Sequence, residues 1–481
     1  MKSGRTAGLF AAVVALALLA FWYSQITGRA VQSDSVATLQ LGVNLAHDGV
    51  LSIDEAPPYE PSMYREPGPG IAAALLVKVA DLRWGAAPQA QYMQGDRARL
   101  IKLQNLFWFA LLCVATGLAV RWWTGSLVLG VIGAVLAQAF YFYPAIRSYG
   151  IDSLFSDIPA AALLMTVSLV LARAITRCSA RHAAAAGFLF GVLTLVKAAL
   201  LFVFAGLAGC ALLFYLWRRR DHDLRRGAVA VAVMVLAFGV VVAPWILRNY
   251  VVFGTFAVAD RGGLSLYTRV LKDQMSAVEY RGAFYAWTPG PLQAAVGRFT
   301  GFGPADLEPG GRLQHFRHAP DGTAVYARER EAERAGRPQD AIAWYYQGRA
   351  ERARLARLAT DAGQPHPWLA ADQLLQRRAL AWIGANPGPH LSLTLPYLWR
   401  GALIIFPALC IGLAYALWRR SDELLWFCLP SFGLIMFYAL FANFEERYGI
   451  PALPVALASG IIVVWRIWSK ADTRPRHAEK V

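Results

Sequence analysis

Apolar runs of about twenty residues, separated by short basic segments, repeat along the chain, and each is long enough to cross a ~30 Å hydrocarbon core as a helix. They cover Ala7–Ile26, Ile101–Val120, Ser126–Ile146, Ser153–Arg173, Gly227–Leu247, Tyr397–Leu417, Leu424–Ala442 and Gly449–Ile467. The stretch Ala183–Trp217 would run ~50 Å as one helix, too long for a single crossing. Arg173, Arg177 and Arg181 precede it, and Arg218, Arg219, Arg220, Arg225 and Arg226 follow it. Basic clusters belong on the cytoplasmic side. The stretch therefore crosses twice and turns near Lys197. The pattern predicts an all-α polytopic membrane protein with about ten transmembrane helices and both termini cytoplasmic. Lys2 and Arg5 lead into the first run, and no small-x-small site follows it, which predicts an uncleaved first helix.

This topology divides the chain into a first transmembrane helix (1–26), a periplasmic loop one (27–100) and a transmembrane core (101–247). A large periplasmic loop (248–396), C-terminal transmembrane helices (397–468) and a cytoplasmic tail (469–481) follow. Arg121, Arg419, Arg420 and the tail's Arg466, Lys470, Arg474, Arg476 and Lys480 fall inside, with Trp122, Trp123, Trp217, Trp418, Trp465 and Trp468 at the inner boundary. Gly70–Leu82 is expected as a short interfacial helix of loop one. In the large loop, Pro289–Gly322 is rich in Gly and Pro, and helices are expected over Asp340–Leu358 and Ala370–Ala385. Leu375, Ala379, Trp382 and Ile383 line one stripe of the last helix, which fits a membrane surface or its own domain equally.

Composition agrees with the pattern: 57% of the 481 residues are hydrophobic, 16% are charged, and there are 16 Trp. The net charge of +16 sits in short segments between spans, with no basic stripe carrying stacking aromatics, so nucleic acid is not the expected partner. Cys113, Cys178, Cys210, Cys410 and Cys428 show no metal-ligand spacing, and none lies in an exported loop, so neither disulfides nor a thiolate metal site is expected.

The unusual polar residues share the outer side of this topology. Asp34 follows the first helix; Arg65 and Glu66 sit later in loop one; Asp152 and Asp157 open the fourth span. Lys197 lies at the outer hairpin, Arg248 at the outer end of the seventh span, and Glu445, Glu446, Arg447 and Tyr448 open the tenth. Singly, each has a plain reading as helix cap, snorkelling cation or turn. Together they suit a ligand with a phosphate at headgroup level, since Arg offers a planar fork and Lys a point charge, with a carboxylate as general base.

The stretch APWILRNYVVFGTF followed by GGLSLY resembles the PW-x-x-RNY-x-x-FG-x-F region of bacterial family 39-like glycosyltransferases of the GT-C superfamily. These are relatives of the protein O-mannosyltransferases and lipid A aminoarabinose transferases. SDSVATLQLGVNLAHDGVLS resembles the family's acidic first loop, YREPGPGIAAALL the start of its juxtamembrane helix, and GFLFGVLTLVKAALL its G-x-x-x-GL-x-x-LTK segment. RRALAWIGANPGPHLSLTLPYLWR resembles the helix before the eighth span, and ERYGIPALP the closing RY-x-x-P-x-x-P. The match covers most of the chain outside Gly282–Arg337.

The resemblance implies a GT-C-like bundle in a bacterial inner membrane. It further implies transfer of a sugar from a polyprenyl-phosphate donor to a glycan, lipid or protein acceptor on the periplasmic face. On these motifs Asp34 takes the place of the catalytic aspartate, and Glu66 that of a loop-one carboxylate near the donor. Lys197, Arg248, Arg447 and Arg65 are expected near the lipid phosphate, with Asp157, Asn249 and Tyr448 as further site candidates. Ser33 and Ser35 flank Asp34 where the family often pairs two acids, and Arg65-Glu66-Pro67 stands where aminoarabinose transferases carry Glu-Lys-Pro. Those differences leave donor identity and metal use open; no cofactor is required by the residues themselves. A polymerase or ligase of lipid-linked glycans and a non-enzymatic flippase remain the alternative readings.

Overall fold

The computed structural model describes residues 2–139, 150–218, 223–317 and 322–469, with side chains from Val13 onward. The end of the run Ser126–Ile146, the pair Arg219 and Arg220, the tail beyond 469 and the side chains of Lys2 and Arg5 lie outside the described residues. Among the described residues the structure is helical, with no strand. The chain forms two compact units, one of residues 1–252, 404–434 and 449–481, the other of residues 253–403 and 435–448.

In the first unit, α1 (Lys2–Gln25) leads to α2 (Asp34–Asp48), α3 (Pro67–Trp84) and α4 (Gly95–Lys102) of loop one. Then come α5 (Gln104–Thr124), α6 (Leu127–Ala139), α7 (Asp157–Thr176), α8 (Ala180–Val196), α9 (Leu200–Trp217) and α10 (Leu224–Phe253). The second unit holds α11 (Gly262–Asp273), α12 (Ala277–Ala286), α13 (Gly290–Thr300), α14 (Ala324–Arg334), α15 (Trp344–Asp361) and α16 (Pro367–Ala385). Two short helices close it, α17 (Pro387–Ser392) and α18 (Thr394–Ala402). The chain then forms α19 (Ile405–Trp418), α20 (Asp422–Phe441), α21 (Glu446–Gly449) and α22 (Leu453–Trp468).

Among the described residues six helical stretches are long and apolar enough to cross a membrane: Gly95–Thr124, Asp157–Thr176, Leu200–Trp217, Leu224–Phe253, Asp422–Phe441 and Glu446–Trp468. Shorter apolar helices occupy Val13–Gln25, Leu127–Gln138 and Ala180–Val196. The run Tyr397–Leu417, expected as one span, is divided between α18, which ends at Ala402, and α19, which begins at Ile405. Ala183–Trp217 divides as expected, and Lys197 caps the C-terminus of α8.

Loop one is built on close backbone contact. A Cβ on Gly42 of α2 would come within 2.7 Å of the Ala73 Cβ, and one on Gly70 of α3 within 2.9 Å of the Leu41 Cβ. Hydrogen at both positions lets α2 and α3 press together over Leu39, Val43, Ala73, Val77 and Ala80. The opposite face of α3 exposes Ile71, Leu75, Val79 and Leu82, an apolar stripe. In the second unit the stripe of α16 is covered by protein: Leu375 packs with Leu355 and Leu264, and Ala379, Trp382 and Ile383 pack with Leu266 and Val270. Of the two readings open from periodicity, packing on its own domain is the one found.

Candidate functional site

Five residues of loop one, Ser62–Glu66, touch three helix ends in turn. The Ser62 carbonyl accepts a hydrogen bond from Arg248 Nη1 at 3.3 Å, near the end of α10. That nitrogen also donates to Asn249 Oδ1 at 2.8 Å, and the guanidinium lies over the Trp245 ring, 4.7 Å from its centroid. Three residues on, Arg65 forms an ion pair with Asp34, the first residue of α2. Glu66 Oε1 then accepts the Ala198 N–H at 3.1 Å, in the break between α8 and α9.

The sequence dictates this threading. Pro67 starts α3 where a missing N–H costs nothing, fixing the residue before it as extended chain. A Cβ on Gly68 would meet the Leu195 carbonyl oxygen at 2.8 Å and Val196 Cγ2 at 3.0 Å, so glycine is what lets the first turn of α3 lie against the end of α8. Ser33 holds a left-handed φ of 56°, which non-glycine residues seldom adopt, immediately before Asp34. Ser35 Oγ accepts the Leu154 N–H at 2.9 Å and ties the start of α2 to the segment before α7. The carboxylate of Asp34 thus stands in the first turn of a helix, where the dipole favours negative charge.

Lys197 and Asp157 are buried together, with Nζ donating to Oδ1 at 2.6 Å. Asp157 is the first residue of α7, so this pair joins that helix to the α8–α9 break. A narrow crevice with mostly apolar walls is lined by Thr38 from α2, Pro69 and Ala72 from α3, Asn105 and Trp108 from α5, and Val196.

Of the residues singled out in the sequence, Asp34, Arg65, Glu66, Asp157, Lys197, Arg248 and Asn249 are linked through loop one. Arg447 and Tyr448 belong to the second unit. There Arg447 Nε lies 3.7 Å from Glu445 Oε2, and Tyr448 stacks on Tyr438. Arg65, expected at the lipid phosphate, is paired with Asp34, and Glu66 serves a backbone N–H.

Two clusters were not foreseen. In the first unit the fully buried Lys102 ammonium donates to the carbonyls of Thr27 (3.2 Å) and Arg29 (2.8 Å) and to Asp152 Oδ1 (3.0 Å). Asp152 also accepts from the Thr27 N–H and hydroxyl, pinning the chain as it leaves α1 toward Asp34. Lys102 opening an apolar run was the available signal. In the second unit Arg269 donates to the carbonyls of His390 (2.8 Å) and Ala439 (2.5 Å), and Asp273 lies 2.7 Å from His390 Nδ1. Beside them Lys272 and Tyr397 both donate to Asn443 Oδ1, at 2.5 and 3.2 Å. Burial, with Arg400 nearby, holds Lys272 well below the usual lysine pKa. Arg269, Lys272 and Asp273 at i, i+3 and i+4 on one helix were the legible trace of this network.

Among the described residues no three His, Cys, Asp or Glu side chains stand together as a metal-ligand set. No family model matches the chain, and no curated protein matches it. Among solved structures the chain is similar to "Crystal Structure of ArnT from Cupriavidus metallidurans in the apo state", at 12% identity and a TM-score of 0.37. That likeness covers 96% of this chain and 77% of the other. At that score it carries no argument about the site.

Proposed function

We propose that this chain is a GT-C-type, family 39-like glycosyltransferase of the bacterial inner membrane. In this reading it moves a sugar from a polyprenyl-phosphate donor to an acceptor hydroxyl or amine on the periplasmic face. The observation that carries the reading is the loop-one node: a carboxylate, Asp34, and two guanidinium groups, Arg65 and Arg248, are joined by one five-residue segment. The motifs that resemble the family supply these same residues.

In the proposed reaction the acceptor oxygen or nitrogen attacks C1 of the sugar from the face opposite the phosphate. The C1–O bond to the phosphate breaks, and its electron pair leaves with the polyprenyl phosphate. The acceptor proton goes to the Asp34 carboxylate, so one displacement inverts C1. Lipid phosphate is a good leaving group without protonation, so the protein's main task beyond positioning is to neutralise charge growing on it. Arg248 and Arg65 are assigned that task, with Lys197 as a supporting cation. Asn249 and Asp157 hold Arg248 and Lys197, and Glu66 anchors the segment. All positive charge in this scheme comes from side chains, and no cofactor enters it.

The test compares lipid-linked sugars and surface glycans of cells with and without the gene. One polyprenyl-phosphate sugar should accumulate in the deletion while one surface sugar disappears. Accumulation confined to the cytoplasmic leaflet would point to a flippase, and unchanged pools would remove the donor assignment.

A further inference from the structure

Asp34 and Arg65 are each other's partners in the resting site, yet the proposed reaction needs both for something else. A carboxylate oxygen engaged by a guanidinium has its lone pair committed and is a weak proton acceptor. A guanidinium already paired with a carboxylate has fewer N–H donors and less uncompensated charge to offer a phosphate. Resting on the proposed transferase reading, we infer that the Asp34–Arg65 pair is a latch opened by the donor. The lipid phosphate takes the Arg65 fork, and the Asp34 carboxylate gives up that guanidinium before it accepts the proton.

Three observations separate Arg65 from its neighbours in this role. Its side chain is 17% exposed and that of Asp34 24%, whereas Lys197 and Asp157 are 7% and 4% exposed in their own pair. A ligand at the surface can reach the first pair far more readily than the second. The Arg65 Nε is buried and has no hydrogen-bond partner among the described residues, so the guanidinium holds an unused donor. Finally, the residues on either side are fixed independently: the Ser62 carbonyl by Arg248 and the Glu66 carboxylate by the Ala198 N–H. The side chain can change partners while the backbone stays in place.

The latch orders the reaction. With no donor bound, the base is occupied; when phosphate arrives, one event neutralises the leaving group and exposes the proton acceptor. Arg65 is then a positioning residue for Asp34 and a ligand for the phosphate in turn.

The experiment measures binding of a short-chain polyprenyl phosphate to the purified full-length protein in detergent. In wild type the phosphate must compete with Asp34 for Arg65. Asp34→Asn removes the competitor, so binding should tighten, by about tenfold for one charge-assisted contact. Arg65→Gln should weaken binding by a similar factor, and the double variant should lose the gain. Tightening is the informative sign, because a merely structural role for the pair would weaken binding or leave it unchanged.

If wild type shows no saturable binding, the donor reading falls and the latch with it. If wild type binds and Asp34→Asn binds no tighter, the latch alone is overturned. If Asp34→Asn tightens binding equally in the Arg65→Gln background, the effect is general charge removal, and the latch is again overturned. Asp34→Ala, measured in the same way, substitutes if the Asn variant does not fold.

Discussion

Lys197 and Asp157 close a buried ion pair, Nζ to Oδ1 at 2.6 Å, between the break after α8 and the first residue of α7. Asp157→Asn should cost about 3–5 kcal/mol, because it leaves a buried ammonium without its counter-charge. Replacing both, as Lys197→Met with Asp157→Leu, should recover most of that loss. Thermal unfolding in detergent tests both statements. A double variant that folds but cannot use the donor would assign the Lys197 charge to the phosphate; full activity would confine the pair to structure.

Arg248→Ala should weaken polyprenyl phosphate binding about tenfold or more, by loss of a charge-assisted contact. It should also loosen loop one, whose Ser62 carbonyl loses its donor. Arg248→Lys should restore only part of the binding, since a point charge replaces the planar guanidinium. Equal affinity in wild type and the alanine variant would remove Arg248 from the phosphate site.

Gly68→Ala tests the threading of loop one directly. The added methyl meets a backbone carbonyl that has no rotamer to change, so α3 must shift. A cost of ~1–3 kcal/mol is expected from overpacking, with turnover falling beyond what the stability loss explains. Wild-type melting and turnover would show that the α3–α8 contact is looser than the distances indicate.

Asp34→Asn keeps size and removes the basic oxygen, so turnover of bound donor should fall ~10²–10⁴-fold while the protein still melts normally. Turnover within a few-fold of wild type would leave Asp34 as a helix-terminal acid and make Glu66 the next candidate. The Ala198 contact already argues that Glu66 is an anchor.

Topology is checked with reporter fusions. Sites after Arg181 and Arg226 should both report the cytoplasm, and a site near Asp340 the periplasm. Either basic site reporting outside would place Lys197 on the wrong side of the membrane for the proposed chemistry.

The apolar runs and the turn at Lys197 were legible because basic residues bracket Ala183–Trp217, and only an even number of crossings returns both clusters to one side. The break after Ala402 was not, since the run Tyr397–Leu417 stays apolar through it. The site was legible as a set of residues but not as a set of partners. Arg65 and Asp34 are 31 positions apart, and which anion a guanidinium meets depends on how α2 and α3 pack. That packing rests on Gly42 and Gly70, whose missing side chains leave no trace in a charge pattern. The buried network around Arg269 and Asn443 joins residues about 170 positions apart, beyond the reach of any local spacing.

Five of the nine positions from Ser62 to Gly70 are engaged by other elements: Ser62 by α10, Arg65 by α2, Glu66 by the α8–α9 break, Gly68 by the end of α8 and Gly70 by Leu41. Such a segment resists piecemeal change, because altering one position disturbs the register of the others. Exchanging it between related chains should therefore succeed only when 62–70 travels together with 195–198, the stretch it is moulded against.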